Sequence, residues 1–434
     1  MLTKKRLLLS CFLIFVTSCA SFLYRIDSPA VHVFDEKPYL ADAKGLLNSN
    51  FTVYKNHPPL MREIVAIGIA VFGDRPLGWR VMPVLFGSLT LVVMYLWALA
   101  LFYHPKHVAA AESAAWIAVL ATLLNQLHFV HSRVAMLEVF CFAFSAAGLA
   151  CFCASLNTHI SLKSKKALIP ICGILMGLSV ACKWTGALSL AVIVIYSFIF
   201  KNRLYEARYK TLIAWLLIVP VLVYFLTFLP FIMWGSESVL DIVRLQFQIL
   251  KGHSGFAAEH SYSSSPWGWP LLLNPVWYCM EKSADRSSAQ FVFFQGNPVI
   301  LWTGLIALGF CLKRIFAGSR VAYLIAIVFF ANYLVWIISE RKTQFFYYYY
   351  PSAMTLSLAL GFLYVAWLMK YPALIRRTIL GMFFSLSFGV FIFFYPLLAG
   401  NDIKASELHK WMWFDSWQLK SGTSEPVLKY IQKK

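Results

Sequence analysis

Charge is scarce in this sequence, and negative charge is the scarcest kind. Only 13% of the 434 residues are Asp, Glu, Lys or Arg, and 19 acidic residues stand against 38 Lys and Arg. A soluble globular protein has about 25% charged and about 45–50% apolar residues, whereas 60% of this chain is hydrophobic. The composition therefore excludes an ordinary soluble domain and predicts an all-α polytopic membrane protein.

CxxC cysteine pairs are also missing. None of the nine cysteines stands in a CxxC motif, and most lie inside apolar runs, where cysteine behaves as a small hydrophobic residue. The histidines likewise have no spacing typical of metal ligands, so we expect no metal site and no cofactor. The chain has no low-complexity tract and no detectable internal repeat, and we treat residues 1–434 as a single integral-membrane domain.

Long apolar runs make up most of the chain. A membrane span needs about 20 mainly apolar residues, and about eleven segments approach that length. The first follows three basic residues and resembles a signal peptide, but the number of later spans favours an uncleaved first span. The predicted spans are 7–24, 81–103, 108–127, 134–156, 167–182, 185–200, 211–234, 298–312, 321–338, 346–369 and 378–399.

Lys and Arg are distributed unequally between the two sides of this predicted topology. With the N-terminus in the cytoplasm, the cytoplasmic connections and the N-terminus carry 17 Lys and Arg, whereas the short loops on the other side carry four. Positive charge collects on the cytoplasmic side of membrane proteins. The asymmetry therefore orients every span, and it accounts for much of the net charge of +19 without a nucleic-acid partner.

Three segments on the external side are long enough to have structure of their own. Residues 25–80 are expected to contain an amphipathic helix near 37–48 and a second helix near 59–72, which follows a Pro pair. Residues 235–297 show little helical or strand period and predict an ordered loop on the membrane surface. The tail, 400–434, is rich in Trp and predicts a helix in the membrane interface, where Trp is favoured.

The residues with chemical potential lie at the external ends of the predicted spans. Asp35 and Glu36 are adjacent acids directly after the first span, and a carboxylate beside a membrane is costly to desolvate. A channel or transporter would place ionisable groups in mid-span along a path, which these spans largely lack. The remaining external charges of the short loops and span ends are Arg133, Glu138, Lys183, Glu340, Arg341 and Lys342.

Acids and bases gathered at the membrane surface suit one substrate class well, a sugar linked through phosphate to a lipid. Its tail lies in the bilayer, its phosphate at the headgroup level and its sugar outside. A carboxylate can deprotonate an incoming hydroxyl, while Arg and Lys hold the phosphate as charge develops on the leaving oxygen. Such a single displacement would invert the anomeric centre and would need no metal.

Several short motifs run in order through most of the chain. They are Phe34-Asp35-Glu36, His57-Pro58-Pro59-Leu60, Gly78-Trp79-Arg80, Ser132-Arg133, Leu137-Glu138, Cys182-Lys183-Trp184-Thr185-Gly186, Ser265-Pro266-Trp267, Gly296-Asn297-Pro298 and Phe346-Tyr347-Tyr348. Together they resemble the protein O-mannosyltransferase family, whose members are polytopic C-type glycosyltransferases. The chain departs from the family pattern at Met61-Arg62, where the family has Gly-Lys, and at Glu138, where it usually has Asp.

The resemblance implies an activity and roles for particular residues. The donor would be dolichyl- or polyprenyl-phosphate-mannose, and the acceptor a Ser or Thr hydroxyl of a protein. Asp35 would be the catalytic base, with Glu36 beside it in acceptor binding or base support. Arg133 and Lys183 match family positions near the donor phosphate.

Further residues are candidates from their position alone, each with a plainer structural alternative. Arg341, His57 and Arg62 are candidate contacts of the donor phosphate, although an anchoring or bracing role fits them equally. Four others are candidate substrate contacts that also suit a surface acid, an ion pair or an aromatic belt. They are Asp42, Glu138, Trp267 and Tyr347.

Two other functions fit part of the pattern. Enzymes that add aminoarabinose to lipid A resemble the first third of the chain and would give a glycolipid acceptor, and a lipid or sugar flippase would share the membrane setting. The large external domain of eukaryotic family members is replaced here by about 60 residues, too few for a separate folded module. We therefore expect a compact bacterial-type enzyme of the inner membrane with its site facing the periplasm. A dimer is compatible with this interpretation.

Overall fold

Helices occupy the apolar runs of the sequence in the computed structural model, which describes residues 3–50, 56–199, 209–254, 260–282 and 287–418. Most of the described chain is helical. In chain order the helices are α1 (Lys4–Leu23), α2 (Glu36–Leu47), α3 (Leu60–Phe72), α4 (Pro76–Phe102), α5 (Val108–Leu123), α6 (Gln126–His131), α7 (Leu137–Leu156), α8 (Leu162–Cys182), α9 (Gly186–Ile199), α10 (Tyr209–Ile213), α11 (Val219–Leu226), α12 (Leu229–Met233), α13 (Val239–Ser254), α14 (Pro298–Phe316), α15 (Arg320–Ile338), α16 (Tyr350–Ala366) and α17 (Ala373–Leu398).

Eight of the described helices are long and apolar enough to cross a membrane. Two shorter apolar helices, Gly186–Ile199 and Lys210–Leu226, occupy two further predicted spans, and α5 covers the remaining one over 16 residues. The chain is therefore a multi-pass membrane protein, while the count of eleven spans stays a prediction. The eight are Lys4–Leu23, Pro76–Phe102, Leu137–Leu156, Lys163–Cys182, Pro298–Phe316, Arg320–Ile338, Phe346–Lys370 and Ala373–Leu398.

The interior of the bundle is formed mainly by α4, α7, α8 and α16. Helix α7 packs along α4 and α8, and α16 packs against α5, α14 and α15. A Cβ on Gly173 would meet the backbone of Trp215, and a Cβ on Gly177 would meet the backbone of Pro220. Small residues allow helices to approach closely in a membrane, where packing replaces the hydrophobic effect between helices. These two glycines therefore set how closely α8 approaches the segment that leads into α11.

The loop between α1 and α4 contains two helices, α2 and α3, close to the positions that the sequence predicts. Helix α3 begins after Pro59 and ends at Gly73, whose φ of 83° is easily adopted only by glycine. Asp74, directly after this turn, accepts hydrogen bonds from Lys44 at 3.1 Å and Trp79 at 2.6 Å. These contacts tie α2 to the start of α4.

The segment after α12 has more regular structure than the sequence prediction allows. It contains α13 and the strands β1 (Val276–Lys282) and β2 (Ser288–Phe294), which pair antiparallel. The sequence pattern gave no strand signal because β2 is buried on both faces over its last four residues, so the alternation of apolar and polar residues is lost. The strand β3 (Asp402–Lys404) extends the sheet in the order β1-β2-β3.

The predicted interfacial helix of the tail is wrong for the described part of that segment. After β3, the chain forms the short 3₁₀ turns Ala405–Trp411 and Asp415–Trp417, and residues 419–434 lie outside the described residues. Trp417 is only 1% exposed. Its indole N–H donates to the carbonyl oxygen of Leu272 at 2.6 Å, and its own carbonyl oxygen accepts from the Trp277 indole at 2.9 Å. The tail is therefore packed onto the hairpin.

We expect Trp417→Ala to destabilise the protein by about 3–5 kcal/mol, the usual cost of truncating a buried Trp. Trp413→Ala is the matched control, because Trp413 lies four residues before Trp417 in a similar aromatic setting but is 44% exposed. The thermal unfolding midpoint of the purified protein in detergent measures both effects. Equal midpoints for the two variants would contradict the packing of the tail on the hairpin.

Candidate active site

The position of Asp35 is set by its neighbour Phe34, which anchors the first loop on the hairpin. The Phe34 N–H donates to the carbonyl oxygen of Tyr278 at 3.0 Å, and the two rings stack with centroids 4.5 Å apart. Phe34 has a φ of 50°, a conformation that a bulky residue adopts where surrounding contacts impose it. Asp35 precedes α2 without capping it through its side chain, so its carboxylate is not used to stabilise the helix end.

A pocket opens where the starts of α7 and α16 meet the end of α8. Two charged residues line it, and they form an ion pair with 2.5 Å between Lys183 Nζ and Glu138 Oε1. The lining residues are Glu138, Cys141, Lys183, Thr185, Leu188, Asn332, Trp336, Tyr347, Tyr348 and Pro351.

Asp35 lies close to this ion pair, as the causes of its shifted pKa indicate. The pKa of the Asp35 carboxyl is raised to about 6, mainly by burial and then by the negative charge of Glu138, while the positive charge of Lys183 acts in the opposite direction. A carboxylate with a pKa just below neutrality is ionised at pH 7 and is a stronger base than an ordinary Asp. The structure therefore brings Asp35, Glu138 and Lys183 into one site.

Lys183 is buried yet remains a cation. Burial lowers the pKa of its ammonium group, but the Glu138 carboxylate more than offsets this, so that the pKa is raised overall. Its Nζ lies 4.9 Å from the ring centroid of Tyr348 and 5.4 Å from that of Tyr347. Arg341 contacts the same Tyr348 ring at 5.6 Å. Two cations therefore flank one aromatic wall of the pocket.

Glu36, although adjacent to Asp35, is held in a different environment. It is fully buried and forms a bidentate ion pair with Arg80. The Arg80 Nε–H donates to Glu36 Oε1 and an Nη2–H donates to Oε2, both at 3.0 Å. Backbone N–H groups of Val33 and Ala135 donate to the same carboxylate at 2.8 and 3.0 Å. These four hydrogen bonds occupy both oxygens of the Glu36 carboxylate. Arg80 also donates to the carbonyl oxygens of Ile26, Pro29 and Val31.

Arg133 is buried, and its contacts differ from those of the Glu138–Lys183 pair. Its guanidinium donates to the carbonyl oxygens of Phe22, Tyr24 and Arg25 at 2.5, 2.7 and 2.9 Å, and it lies over the Phe129 ring at 5.2 Å. Burial lowers its pKa to about 10, so it stays charged at pH 7. A cation at the C-terminal end of a helix satisfies carbonyl groups that have no partner within the helix. These contacts favour a role for Arg133 in fixing the end of α1.

Of the other candidates from the sequence, some brace the first loop or are exposed, and one lines the pocket. Arg62 forms an ion pair with Asp42 at 3.0 Å and donates to the backbone oxygen of His57 at 2.9 Å, so these three residues brace the loop between α2 and α3. Trp267 is 67% exposed and does not line the pocket. Tyr347 does line it.

Several residues around the pocket were missed by the sequence prediction. Asn332 and Trp336 of α15 line it, and a polar residue inside an apolar span was the available signal for Asn332. Tyr278 of β1 has its hydroxyl 3.0 Å from His131 Nε2. Burial raises the pKa of the Tyr278 hydroxyl well above its usual value, and nearby carboxylates add to this effect. Hairpin residues give no sequence signal because they reach the site only through tertiary packing.

Among the residues that the structure describes, no group of three or more His, Cys, Asp or Glu is arranged to hold a metal ion. Lys183 lines the pocket, and Arg341 lies over the ring of Tyr348, which also lines it.

Two family models match the chain, and together they cover most of it. One is described as dolichyl-phosphate-mannose-protein mannosyltransferase and matches residues 76–234. The other is described as the C-terminal four TMM region of protein-O-mannosyltransferase and matches residues 238–417. The chain is 24% identical to a polyprenol-phosphate-mannose–protein mannosyltransferase of Corynebacterium glutamicum, covering 89% of this chain and 88% of the relative. A relative of the same name from Mycobacterium tuberculosis is 23% identical, with 89% and 86% covered.

Solved structures give the same fold. The Saccharomyces cerevisiae protein O-mannosyltransferase Pmt1-Pmt2 complex bound to the sugar donor matches with a TM-score of 0.83 at 13% identity, over 97% of this chain and 93% of that chain. ArnT from Cupriavidus metallidurans bound to undecaprenyl phosphate matches with a TM-score of 0.57 at 17% identity, over 81% and 59%.

The fold and these relatives define a membrane-embedded glycosyltransferase of the C-type class. Both family models describe the same group of enzymes, and they follow one another along the chain almost without a gap. The chain belongs to the protein O-mannosyltransferase family.

We expect Glu36→Gln to destabilise the protein strongly, because it leaves the buried Arg80 without its counter-charge. Breaking a buried ion pair by removing one partner typically costs about 3–5 kcal/mol. Arg80→Met should have a similar effect, while the double variant should lose clearly less than the two single losses combined, since neither charge is then left alone. Thermal unfolding in detergent measures all three. Additive losses would contradict a direct pair.

The raised pKa of Asp35 predicts opposite effects of pH on activity and on stability. A base must be unprotonated, so the transfer rate at low donor concentration should fall as the pH decreases through about 6. Since the folded-state pKa lies above the unfolded value, ionised Asp35 destabilises the fold above that pH, and the cost disappears as the pH falls. Asp35→Asn should therefore unfold at a higher temperature than the native protein at pH 8, with a smaller difference at pH 5.

Asp27→Asn is the matched control for this comparison, because Asp27 is an exposed acid of the same loop. It should leave both the pH profile and the unfolding temperature close to those of the native protein. A native activity profile that is flat between pH 5 and pH 8 would contradict the assignment of Asp35.

Proposed function

We propose that the protein transfers mannose from a polyprenyl-phosphate carrier to Ser or Thr hydroxyls of proteins, with inversion at the anomeric carbon. The observation that carries this proposal is that the Asp35 carboxylate lies close enough to the buried cation Lys183, which lines the pocket, for the charge of Lys183 to act on its pKa. The names of the bacterial relatives support mannose and a polyprenyl carrier. The alignments cover 86–89% of this chain and of these relatives, which supports the same reaction.

In this proposal Asp35 accepts the proton of the acceptor hydroxyl as its oxygen attacks the anomeric carbon. The bond between that carbon and the phosphate oxygen breaks, and its electron pair remains on the polyprenyl phosphate. General-base catalysis of this kind contributes about 10²–10⁴-fold to rate. The raised pKa of Asp35 suits this task, because the carboxylate is ionised at neutral pH yet binds a proton more readily than an ordinary Asp.

Lys183 stabilises the charge that develops on the departing phosphate. An ammonium group has three N–H donors, and Glu138 takes one of them. The others remain to bind phosphate oxygens in a water-poor pocket, where a charged donor is worth far more than in water. Arg341, on the same Tyr348 ring, supplies a second positive charge.

We further propose that the site faces the periplasm of a bacterial inner membrane, with the N-terminus in the cytoplasm. The distribution of Lys and Arg supports this orientation, and the bacterial relatives support the compartment. The substrate fits the same geometry, since a polyprenyl tail must lie in the bilayer while its sugar meets an acceptor outside it.

A purified-enzyme assay tests the reaction directly. The native protein in lipid nanodiscs receives labelled polyprenyl-phosphate-mannose with either a Ser/Thr-rich peptide or lipid A, and product formation and free polyprenyl phosphate are followed. We expect transfer to the peptide. Transfer to lipid A alone would replace the proposed acceptor, and donor movement without turnover would indicate a flippase.

In the same assay, Asp35→Asn should reduce transfer by at least about 10²-fold, because a catalytic base is lost. Asp27→Asn, in the same loop, should keep native activity. Native activity of the Asp35 variant would remove this residue from the mechanism.

We expect Lys183→Met to lower kcat/KM by about 10²-fold, comparable to the loss of one donor of a preorganised oxyanion site. The variant leaves Glu138 buried without its cation, so Lys183→Met is also combined with Glu138→Gln to separate the lost donor from an unpaired charge. If the double variant regains native kcat/KM, Lys183 has no direct role at the phosphate.

A further inference from the structure

Glu138 has one carboxylate oxygen that its ion pair does not use. The side chain is 5% exposed, and Oε1 lies 2.5 Å from Lys183 Nζ. Oε2 is buried, and no hydrogen-bond donor of the described residues contacts it. Leaving a buried charged oxygen without a partner is costly, so such atoms usually mark a missing ligand or a function.

The surroundings of this oxygen fit a sugar. Glu138 lines the pocket together with the amide of Asn332 and the aromatic rings of Trp336, Tyr347 and Tyr348. Trp336 and Tyr348 stack on each other with centroids 4.1 Å apart, which gives the pocket a firm aromatic wall. A few polar groups placed among apolar walls fix the orientation of a small ligand.

The donor chemistry brings a hydroxyl to the same place. The sugar of a polyprenyl-phosphate donor is bonded directly to the phosphate, and Lys183 binds that phosphate in the proposed function. Glu138 is hydrogen-bonded to Lys183, so any sugar attached to a phosphate at Lys183 lies beside the Glu138 carboxylate. Asp35 is close as well, which leaves the anomeric carbon between the base and the phosphate.

We propose that Glu138 Oε2 accepts a hydrogen bond from one hydroxyl of the donor sugar, so that Glu138 selects the sugar as well as holding Lys183. This inference rests on the proposed function. An ionised carboxylate only accepts hydrogen bonds, so the sugar group that it binds must donate one. The contact is charge-assisted and therefore stronger than a bond between neutral groups.

The alternative is that Glu138 only positions Lys183 and never touches the sugar. The two roles differ in what they do to different donors. A positioning role affects all donors equally, because every donor carries the same phosphate. A sugar contact affects only donors that are altered at one hydroxyl.

A set of modified donors separates these roles. Polyprenyl-phosphate-mannose is compared with analogues in which one hydroxyl at a time is replaced by hydrogen or by fluorine, and kcat/KM is measured for the native protein and Glu138→Gln. At one position we expect the native protein to lose about 10²-fold or more with both replacements, since a site built to bind a hydroxyl rejects analogues that lack it. Fluorine cannot donate a hydrogen bond, so it should not restore activity.

In Glu138→Gln the amide oxygen must face Lys183, which only donates, and the amide N–H₂ then faces the sugar. The variant should lose activity with all donors, but its preference for the hydroxyl over fluorine at that position should fall to about tenfold or less, as expected for a neutral contact. Preferences at the other hydroxyls should not change.

Two results overturn the inference. The first is a native protein whose kcat/KM is the same for every hydrogen- or fluorine-substituted donor as for polyprenyl-phosphate-mannose, because then no hydroxyl of the sugar is bound. A Glu138→Gln protein with uniformly lower activity and unchanged preferences shows that Glu138 only positions Lys183. If the native protein transfers no mannose at all, the proposed function itself is wrong, and that result is separate from the other two.

Discussion

The buried ion pair between Glu36 and Arg80 is the contact on which the site geometry depends. Arg80 belongs to α4 and binds carbonyl oxygens of the loop after α1, while Glu36 also accepts the N–H of Ala135, just before α7. One carboxylate thus connects the first loop to two spans. Because Asp35 is the preceding residue, the same contacts fix where the proposed catalytic base lies relative to Glu138 at the start of α7.

Two adjacent acids therefore have opposite tasks that follow from their surroundings. Glu36 is fully buried, and both of its oxygens accept hydrogen bonds from Arg80 and from backbone N–H groups, so it stabilises the structure. Asp35 makes no cap to its helix and meets one negative and one positive neighbour, Glu138 and Lys183, in a partly buried site. Burial and like charge keep its proton affinity high while the fold supplies the energy to hold it there, a common arrangement at active sites.

The sequence was sufficient to predict the class of fold and the loop helices α2 and α3, while the roles of Asp35 and Lys183 in one active site stay a prediction. It could do so because hydrophobic length and charge asymmetry determine membrane topology almost independently of packing. It could not separate Arg133 from Lys183, since both are cations at a span end. Their difference depends on partners far away in the chain, the carbonyl groups after α1 for Arg133 and the Glu138 carboxylate for Lys183.

The same limit explains the other differences between prediction and structure. The importance of Arg80 could not be recognised, because an Arg near the start of a span is ordinarily an interfacial anchor. The hairpin was missed because both faces of β2 are covered by aromatic residues. The third strand of the sheet, β3, comes from the tail. Long-range pairing of this kind leaves no local period in the sequence.

The most direct test of the central claim is the structure of the Asp35→Asn protein with polyprenyl-phosphate-mannose bound in lipid. The account predicts a phosphate oxygen at hydrogen-bond distance, about 2.7–3.2 Å, from Lys183 Nζ, with the anomeric carbon facing residue 35. A phosphate bound at Arg133, or a sugar remote from residue 35, would contradict it.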